Sequence, residues 1–425
     1  MTTSSLTCGP LSLQQEAAQR NWHGKDIISK SFDLPASISE EELHRRVRRM
    51  IERERGLRTV AYDREGVTYA DRLAAPIYYV TCATPSQMDE ASRAARRVEW
   101  APNGPIWRLV VFRRTGAAPS APRRALLVID HMICDNVTVG LMVREILTGR
   151  EPDAVRGGGR HDEWSRQQRL HFDPGDPEVR RRAREFWTAA LGGTSPRRAT
   201  PLPGVRDASP GVSRGAVALS VHVPVDAESA AAAAREAGAT PFTLALASFA
   251  ATLANGAGLD DLSFAITTPG RPPDFAAAYG WMATQVPLRV AGEGLREFGT
   301  ALDAVRGAWS RILGRLHNPW EFVVAACADS GELDWDPCGR RQLVINYFAE
   351  PVAGITGEHY RDKHPEYLRG MRWIELQVVP LVSGGYLFRF LCDSDDVDRE
   401  SVRDLLRRLA DGYTDHVNTI LGAIR

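Results

Sequence analysis

The stretch Leu126-Leu-Val-Ile-Asp-His-Met-Ile-Cys-Asp-Asn136 changes character at its middle. Ala125 to Ile129 is apolar and partly β-branched, the pattern of a short buried strand. Polarity then arrives as Asp130-His131 and returns four residues on as Asp135-Asn136. From Val137 to Leu147 the apolar residues Val139, Met142, Val143, Ile146 and Leu147 recur at helical spacing, and Gly149 supplies a stop. A histidine and an aspartate thus fall between a buried strand and a helix, where a fixed backbone presents side chains at a turn. His-x-x-x-Asp alone is common by chance. A metal pair at this spacing needs helix under both residues, which the strand-like approach argues against, so no metal site is expected.

Length and composition bound the rest. At 425 residues the chain is long enough for two packed lobes. A formal net charge of zero provides no basic field for nucleic acid and no acidic tail. Only three of the 53 cations are lysine (Lys25, Lys30, Lys363), a coding bias more than a chemical signal. Cys8, Cys82, Cys134, Cys327, Cys338 and Cys392 are scattered without a Cys-x-x-Cys pair, which reads as reduced thiols rather than a disulfide frame or zinc site. No run approaches a membrane span and the polar N-terminus lacks a signal peptide's apolar core, so a soluble, cytoplasmic protein without membrane or nucleic-acid partners is expected.

Around the central stretch, Leu11-Ser-Leu-Gln-Gln-Glu-Ala17 reads as an early helix. Ser39-Glu-Glu-Glu42 is a capping box before Leu43, Val47, Met50 and Ile51 at helical spacing. Arg45, Arg46, Arg48 and Arg49 are expected on that helix's solvated face, and Gly56 as its stop, with Leu57-Arg-Thr59 following. Asp63-Arg-Glu-Gly66 reads as a hairpin turn, and Trp107 to Phe112 as a strand. Arg156-Gly-Gly-Gly-Arg160 and Asp173-Pro-Gly-Asp-Pro177 are breaks, with one or two helical turns from Trp164 to Phe172 between them. Arg180 to Leu191 is helical, anchored by Phe186 and Trp187, and carries Arg180, Arg181, Arg182 and Arg184. Gly211-Val-Ser-Arg-Gly215 matches a nucleophile elbow, but Pro, Gly and Ser precede it and an alternating strand follows, so it is rejected. Asp226, Thr240 (before Pro241) and Asp398 are expected helix caps. Gly270-Arg-Pro272, Gly280-Trp-Met-Ala-Thr-Gln-Val-Pro-Leu-Arg289, Leu316-His-Asn-Pro-Trp-Glu321 and Leu343-Val-Ile-Asn-Tyr347 complete the distinctive stretches.

Together these resemble condensation domains of nonribosomal peptide synthetases, within the chloramphenicol acetyltransferase-like acyltransferase superfamily. His131 and Asp135 fall on the second His and the Asp of that family's His-His-x-x-x-Asp-Gly motif; Asp130 and Asn136 depart from its first His and its Gly. Asn tolerates a positive φ better than other non-glycine residues, so the turn is expected to survive. The other stretches resemble the family's Leu-Ser-x-x-Gln, Leu-Arg-Thr, Gly-Arg-Pro, Gly-Phe-x-x-Asn-Thr-Leu-Pro-Leu-Arg, Leu-Pro-Phe-Glu and Phe-Asn-Tyr motifs, in order. His317 is accordingly read as a turn residue rather than a second base.

The resemblance implies an α/β fold of two acetyltransferase-like lobes in a V-shaped pseudo-dimer, residues 1–178 and 179–425, with the His motif at a tunnel between them. It implies a free-standing condensation enzyme that transfers an acyl group from a carrier-protein thioester to a small-molecule amine or hydroxyl. The donor's phosphopantetheine arm (or CoA) replaces any tightly bound cofactor. His131 is the implied base, supported by Asp130, Asp135, Asn136 and Arg271, with Arg271 expected to tie one lobe to the other through Asp135. Trp281, Thr284 and Asn346 are implied tunnel residues. Carriers are acidic around their phosphopantetheine serine, so Arg181 and Arg184, near the lobe junction, are the expected docking charges. The alternatives are a CoA-dependent small-molecule acyltransferase and a non-catalytic recruitment module; such modules typically lose the His that is retained here.

Overall fold

A computed structural model describes residues 6–21, 27–97, 99–118, 121–152, 160–173, 175–191, 202–205, 216–328, 343–349, 374–393 and 397–423. The Gly211–Gly215 stretch, Gly157–Gly159, Cys338 and Lys363 lie outside these residues. Two compact units divide the chain. The first holds the described residues up to His171 together with Arg271–Ala283; the second holds the described residues of Phe172–Gly270 and those from Thr284 onward. The expected division at residue 178 therefore differs at two places: the change of unit falls at His171/Phe172, and a later segment of thirteen residues, Arg271–Ala283, returns to the first unit.

In the first unit the elements run β1 (Leu6–Gly9), α1 (Leu13–Asn21), β2 (Ile27–Leu34), α2 (Glu40–Arg53), β3 (Thr59–Tyr62), β4 (Val67–Ala70), β5 (Ile77–Cys82), α3 (Pro85–Arg96), β6 (Trp107–Arg114), β7 (Arg123–Asp130), α4 (Asn136–Thr148) and α5 (His161–His171). One sheet has the order β2-β7-β6-β5, antiparallel except for the parallel β6/β5 pair. Every residue of β7 from Ala125 to Asp130 is buried, as its unbroken apolar run requires of a strand covered on both faces. Helix α3 packs on β5 and β7, and α4 on β2. The hairpin at Asp63–Gly66 forms as β3/β4, and β1 adds to it as a third strand, a partner about sixty residues distant that local patterning does not register. Where one or two turns were expected from Trp164, α5 starts earlier, at His161, and runs eleven residues with Asp162 and Glu163 in its first turn.

The second unit continues with α6 (Pro177–Leu191), β8 (Ala216–Val223), α7 (Ala227–Glu236), α8 (Pro241–Ala257), β9 (Asp261–Thr268), β10 (Thr284–Ala291), α9 (Phe298–Ile312), α10 (Trp320–Ala328), β11 (Leu343–Tyr347), β12 (Ile374–Pro380), β13 (Tyr386–Asp393) and α11 (Arg399–Gly422). Its six-stranded sheet has the order β10-β9-β11-β12-β13-β8, with β11 parallel to both neighbours. Phe264, Ile266, Leu376, Val378, Phe388 and Phe390 project from one face into a core shared with α8 and α11. Asp226, Thr240 and Asp398 cap α7, α8 and α11, each accepting from the N–H three residues on. Helix α8, apolar nearly all round, is buried as that composition demands. Among the described residues no single helix is long and apolar enough to cross a membrane.

One of the four arginines expected on the solvated face of α2 is elsewhere. Arg45, Arg48 and Arg49 are exposed, but Arg46 is half-buried and donates to the carbonyls of Ile146 (2.7 Å) and Leu147 (3.0 Å) at the end of α4. A guanidinium at a helix C-terminus satisfies orphan carbonyls and meets the negative end of the dipole. Gly149 closes the same turn at φ 68°, and a Cβ there would touch the Arg46 side chain. Replacing Arg46 with Met should therefore cost about 1.5–3 kcal/mol, the range for a charged hydrogen bond. Arg45→Met, which loses only a solvent-screened pair with Glu42, should cost clearly less. Urea midpoints of the two variants measure the difference, and equal losses would place Arg46 in solvent.

Candidate active site

The site is built at the end of β7. The strand stops at Asp130, and His131–Ile133 form a single 3₁₀ turn before Asp135 opens α4. Asp130 is fully buried, and its carboxylate accepts from Met132 N–H (3.0 Å), Trp100 Nε1–H (3.0 Å) and the Tyr62 hydroxyl (3.1 Å). It thus caps the turn that carries His131 and ties it to β3. The Met132 carbonyl accepts from Gln15 Nε2, whose Oε1 receives Ser12 N–H while Gln15 N–H donates to the Ser12 hydroxyl. The Leu-Ser-x-x-Gln stretch is therefore a reciprocal cap that also clamps the turn.

Asp135 is the second anchor. Oδ1 accepts from Thr138 N–H (2.8 Å) as the cap of α4, and from Arg271 Nη2 (2.7 Å). Oδ2 accepts from the N–H groups of Met282 and Ala283, both at 3.1 Å. The Asp135 and Arg271 side chains are 2% and 4% exposed. Arg271 also donates to Thr138 Oγ1 (2.9 Å) and to the carbonyls of Ala278 and Gly280. Burial pushes the Asp135 carboxyl up, but Arg271 and the N–H groups of Thr138 and Met282 outweigh it and hold the group below its ordinary 3.8. The pair expected from the family motif is present, but it lies within the first unit, because Arg271 belongs to the returning segment.

That segment is fastened along its length. Tyr279 donates to Glu145 Oε2 on α4 (2.8 Å), and Glu145 is held by a bidentate Arg53 (2.9 and 2.6 Å). Gly280 exchanges two hydrogen bonds with the Thr138 hydroxyl, and the Trp281 carbonyl pairs with His161 Nε2 at 3.0 Å. His161 is buried, and desolvation holds its imidazole below the ordinary 6.5 against the opposing bond to Trp281. The indole of Trp281 meets the half-buried His131 ring edge-on, with centroids 4.5 Å apart. Met132 and Trp281 pack with Leu11 and Tyr69 in one apolar cluster.

His131, Asp130, Asp135, Asn136, Arg271 and Trp281 are thus gathered in the first unit. Asn136 does not hold the left-handed conformation expected of it. It is the first residue of α4, and the only described non-glycine residue at positive φ is Asn103, so replacing the family's Gly imposes no strain here. Thr284, Asn346, Arg181 and Arg184 belong to the second unit. Thr284 is buried, donating to Asn318 O (3.1 Å) and accepting from Trp320 N–H (3.0 Å), which pins the start of β10 to the turn that holds His317. Asn346 donates to Glu375 (2.9 Å). Arg181 and Arg184 are both exposed, and Arg181 pairs with Glu178 and Glu185 on its own helix.

No family model matches the chain. A stretch of plipastatin synthase from Bacillus subtilis (strain 168) is 21% identical over 346 residues, covering 78% of this chain. The chain spans only 13% of that relative's length. Among solved structures, the PapA2 acyl transferase superposes with a TM-score of 0.71 at 16% identity, covering 98% of this chain and 93% of its own. The first condensation domain of the CDA synthetase gives 0.70 at 16% identity, covering 97% and 98%. The chain therefore has the condensation-domain fold, a two-lobed chloramphenicol acetyltransferase-like α/β architecture.

Removing Asp135 or Arg271 leaves a buried, unmatched charge, so Asp135→Ala and Arg271→Ala should each cost roughly 3–5 kcal/mol. The double variant should lose less than the sum, and additive losses would contradict the contact. The folded pKa of Asp135 lies below the unfolded one, so its contribution is complete above about pH 4 and fades as pH falls through the folded value. The Tm gap between wild type and Asp135→Ala should accordingly narrow under acid; a gap independent of pH would mean the carboxylate is not paired.

Proposed function

We propose that this domain transfers an acyl group from a thioester, carried on the phosphopantetheine arm of a carrier protein, to a small-molecule amine or hydroxyl, with His131 as base. One observation carries the reading: His131 is half-buried and reachable, while the buried Asp130 caps its turn and the buried Asp135 and Arg271 side chains are bonded to each other just beyond it. An imidazole is the one group in this stretch that exchanges protons near neutrality. Its Nδ1 is buried, and the substrate's proton is assigned to Nε2. In the proposed step the nucleophile's N–H or O–H proton passes to Nε2 as the new C–N or C–O bond forms. The C–S bond then breaks, and the thiolate takes the proton back from the imidazolium. Base catalysis of this kind is worth roughly 10²–10⁴-fold, and approximation of two bound substrates adds to it.

The test compares carrier-bound acyl thioester and acyl-CoA as donors, with a panel of amines and alcohols, by mass spectrometry of products. Wild type should form product, and folded His131→Ala should lose at least about 10²-fold. More than about a tenth of wild-type rate in that variant, against the 10²-fold minimum, would remove His131 from the chemistry. A preference for CoA over the carrier would favour a small-molecule acyltransferase.

For the carrier we propose docking on α6, which presents four arginines against two glutamates. Reversing Arg181 would set three carboxylates together on one helix, so Arg184→Glu is the cleaner probe of the two. It should lower kcat/KM for the carrier-bound donor in a salt-sensitive way and spare a soluble thioester. Equal losses with both donors would place the defect in the fold.

A further inference from the structure

We infer that His161 is a positioning residue for acyl transfer: through the carbonyl of Trp281 it holds the indole that orients the His131 ring. The inference rests on the reading of His131 as base. His161 opens α5, is buried, and donates from Nε2 to the Trp281 carbonyl at 3.0 Å. Its ring lies against the backbone of Gly280 so closely that a Cβ there would stand 2.1 Å from Cδ2 and 2.3 Å from Cγ. Only glycine permits that approach.

The opposite side of Gly280 is closed by Thr138. Its hydroxyl donates to Gly280 O (2.8 Å) and accepts from Gly280 N–H (3.0 Å) and Arg271 Nη2 (2.9 Å). A threonine hydroxyl has one donor and two acceptor positions, so it is fully used. Downstream, Asp135 takes the N–H groups of Met282 and Ala283. Trp281 is thus held by backbone contacts on both sides of its own residue, and its indole N–H folds back to Ala283 O (3.1 Å). What this frame presents is a fixed indole at 4.5 Å and 60° from the His131 ring.

An imidazole turns through a broad, shallow well about its χ2 angle, so nothing intrinsic to His131 aims its nitrogens. A neighbouring ring edge removes that freedom, and proton transfer depends on aim. Burial disfavours the charged form of His161, consistent with a neutral donor to the Trp281 carbonyl. His161 meets the backbone of Gly280 and Trp281 and acts on His131 only through the indole, hence positioning rather than catalysis.

The experiment uses the whole chain with His161→Ala, His161→Gln and Gly280→Ala, reading kcat and KM together with the His131 ring-proton resonances by NMR, assigned by their loss in His131→Ala. Wild-type resonances should be displaced by the indole ring current. In His161→Ala and Gly280→Ala the displacement should shrink, with kcat lowered about tenfold and KM within about twofold. His161→Gln, which retains a side-chain N–H donor, should recover most of both. Unmoved resonances in His161→Ala overturn the inference, as does a lower Tm shared by Ala and Gln with kcat per folded molecule unchanged. Should wild type turn over no thioester, the acyl-transfer reading falls, and the same resonances still decide whether His161 holds the His131 ring.

Discussion

One buried carboxylate organises this site. Asp135 cannot be hydrated, and an ion of its size carries a desolvation penalty of several kcal/mol unless matched in place. Its match comes from four donors: Thr138 N–H at the start of α4, Met282 and Ala283 N–H, and the Arg271 guanidinium. Three of the four belong to the Arg271–Ala283 segment, so the charge that caps α4 also fastens a stretch over a hundred residues away in sequence. Arg271 in turn donates to backbone carbonyls of that segment. Remove the anion and both the helix start and the segment lose their common partner.

Around this anchor the work is divided between groups that hold and one that is left reachable. Asp130, Gln15 and Thr138 have their polar atoms engaged inside the first unit. Tyr279 and Glu145 do the same farther along, where burial and the adjacent carboxylate keep the Tyr279 phenol protonated. Of the motif's partly exposed side chains, His131 and Asn136, only His131 carries an imidazole able to act as a base. A hydrogen-bonded polar network is rigid, and rigidity beneath the proposed base is what preorganised chemistry would require.

Much of this was legible from local pattern. The apolar run into Asp130, the recurrence from Val139 to Ile146 and the stop at Gly149 marked β7 and α4, and the capping residues Asp226, Thr240 and Asp398 marked their helices. The Asp135–Arg271 pair was reachable only through family motifs, since no periodicity links residues 136 positions apart. Patterning also missed His161, Tyr62 and Trp100, whose roles arise from tertiary neighbours: a lone His beside a glycine run looks like a loop residue. Arg46 was misread because three of four adjacent arginines do face solvent, and only the end of α4 distinguishes the fourth. Asn136 was given a glycine's task that the backbone does not ask of it. The unit change at 171 and the return at 271–283 escaped notice because composition marks breaks in the chain, not the body each piece packs into.

In the proposed reaction a thioester carbonyl is presented to His131. A pantetheine analogue bearing a chloroacetyl group in place of the acyl thioester would set an electrophilic carbon at that position, and peptide mapping by mass spectrometry would report where it attaches. Alkylation of His131, slowed by an acyl-pantetheine competitor and absent in Arg271→Ala protein that remains folded, is the predicted result. Labelling confined to cysteines, or His131 labelling indifferent to the competitor, would contradict the account.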